Sequence, residues 1–338
     1  MNTKADSMEV KLTSQVGQDR LLLQEAVPLA TPLVIYVEPS GFCNLKCGFC
    51  PHGIAANGLK KAIMPVELFC SMIDGIDMFP EKIKLLRICG NGEPLTNPYL
   101  VEMLSYASSK RVAEKIELIT NAVLLTPELI RKLPRYLTRL VCSIEGLSAD
   151  EYLRICNAKV DFDALVHNLG ALYADRGDCT IYIKVTHEAV TSKEKEARFF
   201  ELFKDRCDEI FIEKIVPMWP QLDTAFSGHE YRWGDEDVIP RRVCAQIFKG
   251  LQVQADGEVV PCCVDWNRIN VIGNLHESSL PEIWRGESLR KLQIAHLSGK
   301  KNSLEPCKGC CMNDYCEMDN LDDYSEECLK RLTQRELR

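Results

Sequence analysis

Leu33-Val34-Ile35-Tyr36-Val37 runs into Glu38-Pro39-Ser40-Gly41-Phe42, and then into Cys43-Asn44-Leu45-Lys46-Cys47-Gly48-Phe49-Cys50. The first five residues are apolar and largely β-branched, which reads as a buried strand. The loop after it carries three thiols. The same rhythm then repeats. Residues 84–89, 115–120, 139–143, 180–186 and 209–215 read as further strands. Between them, residues 64–76, 98–108, 126–133, 162–174 and 193–203 place apolar side chains at helical spacing. Pro65 suits a first helical turn. Thr126 suits a cap, with Glu128 behind it. Strands alternating with helices require a parallel sheet with right-handed crossovers. Six such units fall short of the eight of a closed barrel. The expected fold class is therefore α/β, a partial (β/α)6 TIM-like barrel over residues 33–216, with its active site at the carboxyl ends of the strands.

Outside the barrel the pattern changes. Residues 1–32 read as a polar lead-in. Residues 217–243, with Pro217, Trp219, Pro220, Trp233 and Pro240, read as a linker. Residues 244–316 form a small Cys-rich β-hairpin/α extension. Its hairpin spans 251–262 and turns at Asp256-Gly257, and a helix lies around 281–297. Residues 317–338 read as a charged helical tail.

The 338 residues are 46% hydrophobic and 27% charged, enough for a sizeable core and unlike a disordered chain. Net charge is −8, which argues against nucleic acid as a partner, since phosphates are met by clustered Lys and Arg. The first residues, MNTKADSMEV, carry no apolar signal segment. No run approaches the ~18 apolar residues of a membrane span. With no such signal, the 17 cysteines point to a cytoplasmic protein whose clustered thiols bind metal rather than pair as disulfides.

The residues alone leave two metals open for Cys43, Cys47 and Cys50. Structural zinc takes four protein ligands, usually in paired short spacings. A three-residue gap followed by a two-residue gap is unusual for that. Three thiolates on a cubane instead leave one iron open.

This spacing, with Phe49 just before the last cysteine, resembles the signature of the radical S-adenosylmethionine (SAM) enzymes. Gly92-Glu93-Pro94 after the second strand resembles their Gly-Glu-Pro motif, which holds the methionine amino group. Asn91 stands where many members have glycine. Thr120-Asn121 and Ser143 match further cofactor-contacting positions, and Glu145 stands where Asp is commoner. Arg154 resembles an arginine that pairs with the methionine carboxylate, a task suited to a guanidinium. The resemblance implies a 4Fe–4S cluster on the three cysteines. One electron would cleave S-adenosyl-L-methionine there to a 5′-deoxyadenosyl radical, which abstracts hydrogen from substrate while the protein excludes quenching groups.

Cys244, Cys262, Cys263, Cys307, Cys310, Cys311, Cys316 and Cys328 crowd the rest of the chain. By residue type alone, structural zinc and iron–sulfur are equally open. Behind such a barrel the pattern resembles the SPASM and twitch extensions. That resemblance assigns Cys244, Cys262, Cys307 and Cys310 to one auxiliary 4Fe–4S cluster. The alternative set is Cys307, Cys310, Cys316 and Cys328. A full two-cluster SPASM set would have a cysteine where Asn320 stands. Asp265 and Cys263 are candidate catalytic bases, and a turn role is the plainer reading of each. Cys70, Cys89, Cys142, Cys156, Cys179 and Cys207 read as buried small hydrophobes. His52 reads as a loop histidine, and Trp219, Trp233, Trp266 and Trp284 as packing residues.

Relatives with such extensions modify peptides, mature sulfatases or oxidise sugars and aminocyclitols. Residues 1–32 are too few and too polar for a leader-binding domain. The expected substrate is a small polar metabolite (sugar, nucleotide sugar or aminocyclitol) undergoing a two-electron oxidation, with flavodoxin or ferredoxin as electron donor. A peptide or protein side chain is the alternative. A non-catalytic iron–sulfur or zinc protein is a further one.

Overall fold

The computed structural model describes residues 11–12, 21–54, 58–216, 219, 239–316 and 319–334. Ten strands form one sheet: β1 (Lys11–Leu12), β2 (Val34–Val37), β3 (Ile83–Ile88), β4 (Ala113–Thr120), β5 (Arg139–Ile144), β6 (Thr180–Thr186), β7 (Glu209–Glu213), β8 (Gly250–Val253), β9 (Glu258–Val260) and β10 (Gly273–Asn274). Their order is β1-β7-β6-β5-β4-β3-β2-β8-β9-β10. From β2 to β7 each strand lies parallel to the next one in the chain. The sheet is not closed, so the barrel is partial.

Helices Val66–Asp77, Leu100–Lys110, Pro127–Lys132, Phe162–Ala174 and Lys193–Phe203 supply the crossovers. Side chains cap several of them: Thr126 accepts from Leu129 N, Asp161 from Ala164 N and Ser192 from Lys195 N. A helix that the sequence reading did not separate, Ala149–Cys156, follows β5 and is capped by Ser148.

Strand side chains divide by the period of two. Ile35, Val37, Leu86, Ile88, Leu118, Leu140 and Ile183 pack with Phe69, Met72, Leu104, Leu169 and Phe199 in the layer beneath the helices. Each such buried side chain contributes roughly 1.5–3 kcal/mol. The alternate positions face into the barrel and mix apolar side chains such as Val141 with a group of charged ones. Glu117 there pairs with Arg87 at 2.6 Å and Arg139 at 3.2 Å, and Arg139 reaches Glu209 at 2.5 Å. The Arg87 guanidinium sits 5.6 Å from the Tyr36 ring centre, and that of Arg139 4.4 Å from Tyr182. These charges are tolerable inside because each meets its opposite.

The 251–262 hairpin does not stand apart. β8 lies parallel to β2, from Val34 opposite Gly250 to Val37 opposite Val253, and β9 and β10 follow antiparallel. The extension thus widens the barrel sheet at one edge, while β1 pairs with β7 at the other. The helix expected around 281–297 is two helices, Leu280–Trp284 and Glu287–Leu297, parted at Arg285-Gly286. Of the 217–243 linker, 217–218 and 220–238, with Trp233, lie outside the described residues, as do 1–10 and 13–20 of the lead-in and 335–338 of the tail. The tail helix Ser325–Gln334 is docked. Arg331 donates to the carbonyls of Gln24 and Glu25, and Arg290 to Leu332 O at 2.9 Å. No helix of the described residues is long and apolar enough to cross a membrane.

Candidate active site

The loop after β2 is held from two sides. Glu93 N donates to Phe42 O at 2.7 Å. A Cβ on Gly92 would lie 2.1 Å from Ser40 O, so only glycine lets the two turns approach so closely. On the other side, the end of helix Ala149–Cys156 supplies acceptors: Lys46 N donates to Cys156 O at 2.9 Å and Gly48 N to Ile155 O at 3.0 Å. Cys43, Cys47 and Cys50 sit within this frame, half-buried. Burial pushes the Cys50 thiol up to about 12 and the Cys43 thiol to about 11, with neighbouring thiols adding to both. The Cys47 thiol lies 3.4 Å from that of Cys156, a residue read from the sequence as core filler.

Glu93, Thr120 and Asn121 form one hydrogen-bonded unit across β3 and β4. Glu93 is 3% exposed. Its Oε1 accepts from Leu95 N at 3.0 Å and Thr120 Oγ1 at 2.6 Å, and its Oε2 from Asn121 N at 2.8 Å. A carboxylate has about four acceptor sites, so one on Oε2 is open to a cationic amine. Pro94 begins the short helical turn that Glu93 caps. Asn121 Nδ2 donates to Asn44 Oδ1 at 2.8 Å and lies 4.0 Å from Cys43 Sγ. The unit therefore abuts the cysteine loop.

Next to it, Phe49, Ser143, Glu145, Lys184, Glu213 and Val216 line a cavity of about 170 Å³, which Trp219 also borders. Lys184 pairs with Glu213 at 2.6 Å. Burial pushes the Glu145 carboxyl up to about 7, Glu213 adds to this, and Lys184 opposes it. Its Oε2 is buried without a partner. Lys184 and Glu213 were missed in the sequence, although alternation along β6 and β7 signals their inward direction. Arg154 is placed differently: it is exposed on helix Ala149–Cys156 and does not line the cavity. His52 is 5% exposed, beside the cysteine loop.

The second group of cysteines also converges. The Cys262 thiol is raised by burial first, then by Cys263, Cys244, Cys310 and Cys307. Cys310 N donates to Cys307 O at 3.1 Å. Lys301, 7% exposed, donates to Cys310 O at 2.9 Å. Cys244 N points to His296 Nδ1 at 3.4 Å. Cys328 lies elsewhere. Its thiol donates to Gln24 O and contacts Arg331, which ties the tail helix to residues 21–26. The side chain of Cys316 lies outside the described residues. Burial pushes the Cys263 thiol up to about 11, the Arg87 charge opposes this, and Cys310 adds to it. Asp265 is 1% exposed, and its two oxygens accept from Ile269 N at 2.8 Å and Asn270 N at 2.7 Å. Both oxygens help to close a turn.

A family model described as the radical SAM superfamily matches residues 37–188, and one described as an iron–sulfur cluster-binding SPASM domain matches 244–311. The chain thus carries a radical SAM domain and, after it, a SPASM domain. It is 25% identical over 347 aligned positions to an AdoMet-dependent heme synthase of Methanosarcina barkeri, covering 88% of this chain and 95% of that protein. Among solved structures, BtrN in complex with AdoMet and 2-DOIA matches with a TM-score of 0.53 at 17% identity, over 82% of this chain and 92% of the other. SuiB of Streptococcus suis bound to the precursor peptide SuiA matches with a TM-score of 0.59 at 16% identity, over 89% and 74%. anSMEcpe with bound AdoMet matches with a TM-score of 0.57 at 17% identity, over 90% and 94%. At these identities the structures show the shared fold.

This radical SAM protein is an enzyme that uses S-adenosyl-L-methionine, a 4Fe–4S cluster and an auxiliary iron–sulfur cluster. The residues present fit these groups. Cys43, Cys47 and Cys50 share one loop, and the Cys262 thiol feels Cys244, Cys310 and Cys307 around it, so each group offers several thiolates to a cluster. The partnerless Glu145 oxygen beside Ser143 suits a hydroxyl-bearing cofactor.

Proposed function

We propose that this radical SAM enzyme abstracts hydrogen from a small polar metabolite bound inside the barrel, in a two-electron oxidation assisted by one auxiliary 4Fe–4S cluster. One observation supports the reading: the inward face of the sheet carries a charge-balanced cluster, Arg87, Glu117, Arg139 and Glu209, with Cys263 within reach of the Arg87 charge. In this reading Cys43, Cys47 and Cys50 hold the first cluster, and Cys244, Cys262, Cys307 and Cys310 the auxiliary one. When bound, the first cluster and its cofactor supply a carbon radical able to take hydrogen from an unactivated C–H bond.

The chain's own groups do the rest. The open lone pair of Glu93 accepts from the methionine amino group. Asn121, Ser143 and Glu145 orient the remainder, and Phe49 and Val216 exclude water. Cys263 faces the bound substrate and Asp265 holds the turn behind it. The enzyme works in the cytoplasm with flavodoxin or ferredoxin as reductant. A second reading, a porphyrin-class substrate, is favoured by the match along most of the heme synthase relative.

The test is an anaerobic assay of the reconstituted enzyme with mass detection of 5′-deoxyadenosine and product. A sugar or cyclitol should raise 5′-deoxyadenosine and lose two hydrogens. Stimulation by peptide or porphyrin alone would overturn the first reading.

A further inference from the structure

β8 is the strand that the cysteine-rich segment contributes to the barrel sheet, and it brings Gln252 with it, with Gln254 just past its end. Leu251 and Val253 belong to the apolar layer under the helices, so the period of two turns Gln252 and Gln254 inward. They flank Tyr36 and Glu38. Gln252 is in register with Tyr36. Glu38 N donates to Val253 O at 2.9 Å, which sets Gln254 beside Glu38. Gln252 is 1% exposed and Gln254 0%. Nevertheless the amide oxygen and nitrogen of Gln254, and the amide oxygen of Gln252, have no hydrogen-bond partner. A buried amide left so is destabilising unless something meets it.

The cations on the same face are already met. Arg87 pairs with Glu117, Arg139 with Glu117 and Glu209, Lys184 with Glu213, and Arg268 with Asp256 and Glu258. These cations are committed to carboxylates and do not call for a phosphate or carboxylate ligand. At the two glutamines the unmet demand is neutral, for a donor and an acceptor side by side. A hydroxyl supplies both.

We infer that Gln254, with Gln252, forms a binding wall for a neutral, hydroxyl-rich ring and selects it over an anionic one. The assignment rests on the small-metabolite reading above. An ordered water could satisfy the same amides, and the experiment separates the two. Leucine at 254 keeps the approximate volume and removes both polar atoms. If the amide is held for a ligand, Gln254→Leu melts at or above the wild-type temperature, because an orphaned pair is gone. If a structural water satisfies it, the variant melts lower.

The binding probes are myo-inositol, methyl glucoside and glucuronate, titrated anaerobically into holoenzyme with S-adenosylmethionine. The expected result is a Kd for the neutral probes at least tenfold weaker in Gln254→Leu, and wild-type binding of glucuronate at least tenfold weaker than of myo-inositol. Equal neutral-probe binding by the two proteins, tighter binding of glucuronate, no binding of either neutral probe, or a lower melting temperature in the variant each overturns the assignment. Perdeuterated probes test the underlying reading separately by label transfer into 5′-deoxyadenosine. Transfer from glucuronate but not from the neutral probes overturns the amide wall and leaves the metabolite reading standing. Transfer only from a porphyrin or peptide overturns both.

Discussion

The Sγ of Cys156, at the end of helix Ala149–Cys156, stands 3.4 Å from the Sγ of Cys47 in the loop after β2. Residues more than a hundred positions apart meet here because the helix-end carbonyls of Ile155 and Cys156 accept from Gly48 N and Lys46 N of that loop. A fourth thiol therefore lies beside the three proposed cluster ligands without belonging to their spacing.

If Cys156 only packs against the loop, Cys156→Ala should keep the iron of the first cluster and the spectroscopic response to S-adenosylmethionine. The cost should be about 1 kcal/mol of stability, as for a small core truncation. Loss of roughly four irons per chain would instead make Cys156 a ligand.

Gly92→Ala should be severe, because its Cβ would meet Ser40 O at 2.1 Å and Phe42 O at 2.7 Å. Overpacking of this kind costs typically about 1–3 kcal/mol. The shift also displaces Glu93 from Phe42. Urea unfolding of the variant should show the lower midpoint, and its affinity for S-adenosylmethionine should fall at least tenfold.

Glu38 gives a pH dependence. Burial pushes its carboxyl up to about 7 from 4.5, against hydrogen bonds from Asn91 and Gly92 and the Arg268 charge, and Asp256 adds to the rise. The folded state thus binds the proton more tightly than the unfolded one. The contribution to stability is fully present below pH 4.5 and is lost as pH rises to about 7. The loss is on the order of 3 kcal/mol. Glu38→Gln should abolish it, so the wild-type melting temperature should drop relative to the variant between pH 5.5 and 8. A constant difference would refute the assignment.

Iron content separates the cluster sets. Two cubanes require about eight irons per chain. Cys262→Ala or Cys307→Ala should leave about four, whereas Cys328→Ala should leave all eight, since that thiol faces Gln24 and Arg331. Near twelve irons in the wild type would reveal a second auxiliary cluster.

The strand and helix rhythm was legible in the chain because it is local. Helices Phe162–Ala174 and Lys193–Phe203 begin and end where apolar spacing and capping residues place them. The cysteine loop was legible for the same reason: its three thiols lie within one turn-forming stretch directly after a strand. Gly92-Glu93-Pro94 and Thr120-Asn121 were legible as motifs at successive strand ends, and the structure joins them through the Glu93 carboxylate.

Other features depended on contacts between distant parts of the chain. Nothing local to residues 250–253 says that they pair with β2 rather than stand in a separate hairpin. That follows from a sheet edge left open by the partial barrel. The same pairing turns Gln252 and Gln254 inward and sets Cys263 beside Arg87 and Cys89. Asp265, for which a turn role is the plainer sequence reading, closes the 265–270 turn, and Arg154, matched by resemblance to a cofactor-pairing arginine, is exposed on its helix. Spacing along the chain determined which residue types stand at each strand end. Packing between elements decided which of them face one another, because burial and hydrogen bonding are settled only when the whole sheet has formed.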